Sequence, residues 1–422
     1  MGVFICALAI SGDMDAATPS QRRVFWVILF TAFVACALYA AQGELRGDEY
    51  VHFEQVLRFV RGDYRILGDA LTTIPGYHLL LAAGMRALGT ESLGAARILS
   101  GFAIVLATIG FYRLRRDALG AQSQGDLLAT AQFVALPILL PFAFLVYTDT
   151  LSLAFVLWAA WAAGGQRHWI AGAFLIAAMA VRQNNVLWIA LFTLPLLLQA
   201  WQRRSAKEIV PLFLVLMPYG IAGLAFVAYW LWNGSVSLSP LQAGMHPDFS
   251  LHAGNLFYFC FLAGVLFVLP VAEAWGRYWS DLRARPVLIL VPIVLALAYW
   301  LAFKVDHPYN LGQPVALRNW LLYFTLQSWV WRAAFGAVAV FGAVGLLWQR
   351  WLTPTALWLW PLAAVFLSMS WLIEQRYCLI PFALLLAWRK PSSRRIEWIT
   401  LALWISVAVL FFWGMISGRL YL

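Results

Sequence analysis

Apolar residues run in long blocks along this chain, and polar residues gather in short clusters between them. A helix needs about 20 mainly apolar residues to cross a bilayer. Blocks of that kind lie near 24–42, 95–112, 127–146, 150–165, 169–182, 185–200, 209–232, 256–275, 286–304, 326–348, 353–371, 374–388 and 398–418. They predict an all-α, polytopic membrane protein with about 13 transmembrane helices. Basic clusters separate the blocks: Arg22/Arg23, Arg113/Arg115/Arg116, Arg167/His168, Arg203/Arg204/Lys207, Arg277/Arg283/Arg285, Arg350 and Arg389/Lys390/Arg394/Arg395. An even number of predicted spans separates each cluster from the next. All the clusters therefore reach one side together, the cytoplasmic side by the positive-inside rule.

Segments 43–94, 233–255 and 305–325 then face outward. Within the first, Val56, Phe59 and Val60 form a helical stripe beginning at Glu49, which predicts a helix lying in the interface. The stretch 76–90 is apolar, short and interrupted by Arg86. It reads as a second interfacial helix, since a full span there would break the charge parity.

Composition agrees with a membrane solvent. Of 422 residues, 63% are hydrophobic and 11% charged, against about 25% charged in soluble domains. That excludes a soluble globular protein and a disordered chain. It also excludes a nucleic-acid binder, despite the net charge of +10. Lys occurs only at 207, 304 and 390, an Arg bias that suggests a GC-rich bacterial genome. Cys6, Cys36, Cys260 and Cys378 all sit in apolar surroundings and read as small buried hydrophobes. The first ten residues are too short to span, no cleavage pattern follows them, and the tail before Arg22 is placed in the cytoplasm. No repeat or soluble domain is visible, so residues 1–422 read as a single membrane unit whose outer loops carry the chemistry.

Ionisable residues at the membrane surface are costly and mark candidate sites. Asp48 and Glu49 follow the first span closely, with His52 one turn on. They are candidates for a carboxylate presented to a lipid-linked head group, or simply for a helix start that favours acids. Asp149 stands between two apolar runs, as a helix cap or a site residue. Arg182, Gln183, Asn184 and Asn185 break two short spans, as a hydrogen-bonded clasp or as substrate contacts. Lys304, His307 and Arg318 put positive charge on the outer side. Glu374 and Arg376 lie near another outer end, as a local pair or with Arg376 facing a phosphate. No convincing metal-ligand cluster is visible.

In order, these segments resemble the dolichyl-phosphate-glucose-dependent α-1,2-glucosyltransferase family, which adds the terminal glucose of lipid-linked oligosaccharide. The acidic pair with downstream His and Gln is matched by Asp48, Glu49, His52 and Gln55. Thr72, Thr73, Pro75 and Gly76 match a Thr-Thr-x-Pro-Gly stretch, and Tyr147, Thr148 and Asp149 a Tyr-Thr-Asp. Arg182, Gln183 and Asn185 match Arg-Gln-x-Asn, and Trp232 to Ser235 match Trp-Asn-Gly-Ser. Leu251 and His252 precede the aromatic run Leu256 to Phe259. His307 and Pro308 match His-Pro, and Glu374, Arg376, Tyr377 and Pro381 match Glu-x-Arg-Tyr followed by Pro. The shared order spans residues 48–381. Two departures stand out: segment 233–255 lacks a Gly-Asp-Arg/Lys element, and an Asp-Asn-Arg-His-Tyr element survives only as Leu317-Arg318-Asn319-Trp320.

The resemblance implies the GT-C membrane glycosyltransferase fold, with outer-loop helices over a membrane-embedded cavity. It implies a polyprenyl-phosphate sugar donor, a glycan acceptor that is lipid-linked or surface-borne, surrounding membrane lipids, and neither cofactor nor metal. A bacterial member would carry its site on the periplasmic face of the inner membrane, a eukaryotic one in the lumen of the endoplasmic reticulum. The expected reaction inverts a β-linked hexose, glucose in the family, into an α-1,2 product. Asp48 is the expected base, with Glu49 as its partner or substitute, and partial desolvation is expected to raise the Asp48 pKa. His307, Arg318 and Arg376 are expected at the donor phosphate. His52, Gln55, Asp149, Arg182, Gln183, Asn185, His252 and Glu374 are expected around the substrates. A lipid-sugar flippase or secondary transporter is the competing reading, since it too needs polar residues in broken helices.

Overall fold

The computed structural model describes residues 18–68, 70–118, 125–203, 209–239, 242, 244–312 and 316–422. The expected cytoplasmic tail before Arg22, including Cys6, lies almost wholly outside the described residues. Among the described residues six helices are long and apolar enough to cross a membrane: Pro19–Ala40, Leu93–Asp117, Gln183–Gln202, Val210–Asn233, Trp329–Leu347 and Arg394–Ser417. A further predicted span, 256–275, is a pair of helices, Gly254–Leu266 and Val268–Ala284, bent by 98°. Shorter apolar helices occupy the predicted spans at 150–165, 169–182, 286–304, 353–371 and 374–388. The chain is an all-helical integral membrane protein.

Two of the predicted spans differ from straight helices, and proline accounts for both. The block 127–146 is helical only over Gly125–Val134. Beyond it, Pro137 and Pro141 cannot donate backbone hydrogen bonds, and the chain continues in tight turns. Leu139 donates to the carbonyl of Leu136, and Phe142 to that of Leu139. The sharp bend at Phe267 precedes Pro270, whose ring conflicts with the carbonyl of Leu266 four residues back. That carbonyl instead accepts the indole N–H of Trp404 at 2.6 Å.

Both stretches expected to lie in the interface are helical, as Glu49–Val60 and Gly76–Ala87. They share a small core of their own. Phe53, Val56 and Phe59 from the first meet Tyr77, Leu81 and Met85 from the second, seated on Val146 and Val181. The second helix must begin with glycine, because a Cβ at Gly76 would sit 2.5 Å from the carbonyl oxygen of Ala180. Gln55 is buried and folds the returning chain: its amide donates to the Arg65 carbonyl and accepts from the Leu67 N–H.

Not every basic residue of the clusters is solvated. Arg115 and Arg389 are buried. Arg115 donates to the carbonyls of Leu386 and Ala387 and pairs with Asp126. Arg389 forks onto Glu397 at 2.6 and 2.7 Å. Arg115 thereby serves a helix end whose last carbonyls lack intrahelical partners, while Arg389 holds side chains, Glu397 and Gln132.

Candidate active site

The loop helix Glu49–Val60 starts immediately after Asp48, which follows a turn at Gly47 with φ +53°. Only glycine takes that conformation freely. The Asp48 N–H donates to the Tyr147 hydroxyl at 2.9 Å. Its carboxylate Oδ2 accepts from Arg376 Nη2 at 2.8 Å. Arg376 comes from the short 3-10 segment Gln375–Cys378, so residues over three hundred positions apart meet here.

Arg376 is the hub of an alternating charge network. Its Nη2 also donates to Glu374 Oε2 at 3.0 Å, and its Nη1 lies 3.6 Å from Asp149 Oδ2. Its guanidinium stands 4.7 Å from the centre of the Tyr147 ring. Asp149 pairs in turn with Arg182, and Glu374 with Arg318. Three arginines thus face three carboxylates. Exposure separates the acids: the Asp48 side chain is 56% exposed, Asp149 4% and Glu374 1%. Only Asp48 can meet an incoming hydroxyl without rearrangement.

The expected rise in the Asp48 pKa is not what the geometry produces. Partial desolvation by the surrounding site pushes its carboxyl up, but Arg376, His52 and Arg318 together outweigh that and hold it below the usual carboxylate range. Burial, opposed by Asp48, brings His52 down to about 4. His52 is therefore neutral near pH 7.

Glu49 is placed differently from its neighbour. It is fully buried and forms a forked pair with Arg97, at 2.9 and 2.5 Å. Its oxygens also accept the N–H groups of Val146 and Arg46. No face of this carboxylate is left for a substrate. Arg97 was missed in the sequence, although an arginine inside the apolar block 95–112 is itself a signal.

The other expected residues divide in two. Arg182, Asp149, Arg318, Glu374 and Arg376 come together with Asp48. Gln183, Asn185 and Gln55 serve as clasps. Gln183 ties the Thr72 and Val236 carbonyls and the Ile74 N–H. Asn185 ties Ser152 to the Ala178 carbonyl. His307 caps a short helix: Nδ1 accepts the Tyr309 N–H, and Nε2 contacts the Met245 carbonyl. Both ring nitrogens are engaged, so His307 offers no hydrogen bond to a phosphate. His252 stacks on Trp371, its ring centre 5.6 Å away, and bonds Ser250.

A cavity of about 190 Å³ adjoins the network, with Arg182 and Tyr377 in its wall. Its lining includes apolar side chains, Val186, Leu187, Phe226, Phe366 and Met369, and polar or aromatic ones, Thr72, Thr73, Asn184, His246 and Trp371. The apolar lining residues, His246 and Trp371 had no signal in the sequence, because only the fold brings their separate segments together. Among the described residues no group of three His, Cys, Asp or Glu side chains could hold a metal ion.

An α-1,2-glucosyltransferase of Drosophila melanogaster, named Dol-P-Glc:Glc(2)Man(9)GlcNAc(2)-PP-Dol alpha-1,2-glucosyltransferase, is 26% identical over 415 residues, covering 89% of this chain and 90% of its own. The Homo sapiens protein of the same name is 22% identical, covering 74% and 75%. Among solved structures, ArnT from Cupriavidus metallidurans in the apo state aligns with a TM-score of 0.45 and 18% identity, over 94% of this chain and 78% of that one. Residues 44–209 and 194–387 match the DIE2/ALG10 family, which takes in every residue of the charge network, and the chain belongs to that family.

Proposed function

We propose that this chain is an inverting glycosyltransferase of the GT-C type. It moves a hexose, glucose in α-1,2 linkage, from a polyprenyl-phosphate sugar to a lipid-linked or surface glycan. The site faces the outer side of the membrane, periplasmic or lumenal. One observation carries the reading: an exposed carboxylate, Asp48, shares one arginine with two buried acids beside a cavity lined by both apolar and polar side chains.

The chemistry balances with the chain's own groups. The acceptor hydroxyl oxygen bonds to the anomeric carbon, and its proton passes to an Asp48 carboxylate oxygen. The anomeric C–O bond to phosphate breaks, and its electron pair leaves on the lipid phosphate. The apolar residues of the lining suit the prenyl chain, and the polar ones suit the head group. Arg182, which lines the cavity, and Arg376 receive the phosphate charge. His307 takes no part at the phosphate, because two backbone groups already engage it, and Arg318 holds Glu374, which in turn holds Arg376. Arg376 is common to base and leaving group. As it turns to the phosphate, its hold on Asp48 weakens, and the carboxylate becomes the stronger base when the donor is in place.

Purified protein given labelled polyprenyl-phosphate glucose and a lipid-linked glycan tests this. Sugar on the acceptor supports transfer. Movement of intact lipid without bond cleavage would make the protein a flippase.

A further inference from the structure

His78 lies outside the charge network and belongs to the second loop helix, Gly76–Ala87. It is fully buried. Its Nε2 sits 2.9 Å from Nδ1 of His52, with the ring centres 5.1 Å apart. Its Nδ1 is buried without a partner among the described residues. His52 closes the other side of the pair, one helical turn beyond Asp48, with its ring centre 5.6 Å from that of Tyr147. Two histidines on two separate helices thus share one hydrogen bond at the edge of the site.

A hydrogen bond between two neutral imidazoles has one donor and one acceptor. Burial lowers both groups far enough that both are neutral near pH 7. Two arrangements remain. If His52 donates, His78 must carry its proton on Nδ1, where a buried N–H would have no acceptor. If His78 donates, its Nδ1 is a bare lone pair. A buried orphan N–H is the rarer and costlier defect. Moreover, His78 is the third residue of its helix, where the positive end of the helix dipole favours a lone pair over an N–H. The second arrangement wins. His52 Nδ1 is then the acceptor, and the His52 proton is on Nε2.

We infer that His78 is a positioning residue for the transfer proposed above: it locks His52 as an Nε2–H donor beside Asp48, so that Asp48 alone takes the acceptor's proton. No protein partner is found for His52 Nε2 among the described residues. That atom presents an N–H to an oxygen of the bound sugar. The groups facing His52 keep it in this role. Asp48 and Asp149 favour its charged form, while Arg376, Arg182 and burial oppose it. The electrostatic neighbour of His78 is His52 itself.

The inference rests on the glycosyltransferase reading, but its tautomer is measurable without turnover. Purified protein carrying ¹⁵N-labelled histidine should show His52 and His78 both protonated on Nε2 and bare on Nδ1, with His52→Gln and His78→Gln assigning the signals. A proton on His52 Nδ1 overturns the inference. In the transfer assay His78→Leu should lower kcat about 10- to 100-fold, the scale of a misplaced reacting group, with donor KM unchanged. His78→Gln, which can place an amide N–H where Nε2–H was, should recover most of that loss. Equal losses in both variants, with the His52 tautomer unchanged, would make His78 a packing residue only. Should His78→Leu not fold, the spectrum of the unmodified protein and the turnover of His78→Gln still decide. An absence of sugar transfer by the unmodified protein refutes the function and leaves the tautomer to be read from the spectrum.

Discussion

Arg376 reaches Asp48 at 2.8 Å and Glu374 at 3.0 Å through the same nitrogen, Nη2. One acid is open and the other is enclosed. The arginine therefore serves as a fixed point from the enclosed side and as an adjustable contact on the open side. It is this asymmetry, more than the presence of acids, that singles out Asp48 as the proposed base.

Asp48→Asn keeps the shape and removes the proton acceptor. Turnover should fall by about 10²–10⁴-fold, the usual worth of general-base assistance. Donor affinity, measured by binding of labelled lipid, should stay nearly unchanged. Normal turnover in this variant would remove Asp48 from the mechanism.

The pH profile should report on Arg376. A carboxyl held below its ordinary value is ionised down to low pH, and its function is lost only as the pH falls through that lowered value. The acidic limb of kcat/KM should therefore lie low. In Arg376→Gln the arginine no longer opposes burial, and the acidic limb should move to higher pH. A limb that does not move would show that Arg376 does not govern the base.

Glu49 and Arg97 should behave as a structural unit. Removing one partner leaves a buried charge uncompensated, at a cost of roughly 3–5 kcal/mol. Glu49→Gln and Arg97→Met should each lower Tm sharply in detergent. The double variant Glu49→Gln/Arg97→Met should be less damaging than the single effects added together. Full additivity would mean that the two do not act as a pair.

Arg182→Lys should raise donor KM more than it lowers kcat, because a point charge cannot reproduce a planar fork on phosphate. An unchanged KM would move the phosphate away from the cavity.

Orientation can be read with an impermeant thiol reagent. A cysteine at Arg65, whose side chain is 86% exposed, should label from outside. One at Arg113, 51% exposed, should label only after permeabilisation. The reverse pattern would invert the topology and place the site on the cytoplasmic side.

Much of the architecture was legible in the chain because lipid makes one-dimensional demands. A span must be apolar for a fixed length, and clusters of basic residues favour one side, so hydropathy and charge locate most helices without contact information. The stripe Val56, Phe59 and Val60 and the short run 76–90 marked both loop helices in the same way. Pro137, Pro141 and Pro270 were equally visible, and they mark where helices end or bend. The partners of the polar residues were not visible. Asp48 and Glu49 are adjacent acids with the same chemistry, yet one meets Arg376 at an open edge and the other is enclosed by Arg97. Successive positions on a helix point about 100° apart, and what each then faces depends on segments distant in sequence. Likewise Gln183, Asn185 and His307 carry motif chemistry but are consumed by backbone groups. His78 gave no sign at all, because its role exists only where a second helix brings His52 within hydrogen-bonding distance. The sequence determined the membrane-spanning class and the order of the motifs. Tertiary packing decided which of those polar groups were left free to react, because burial and hydrogen bonding are settled between segments and not within them.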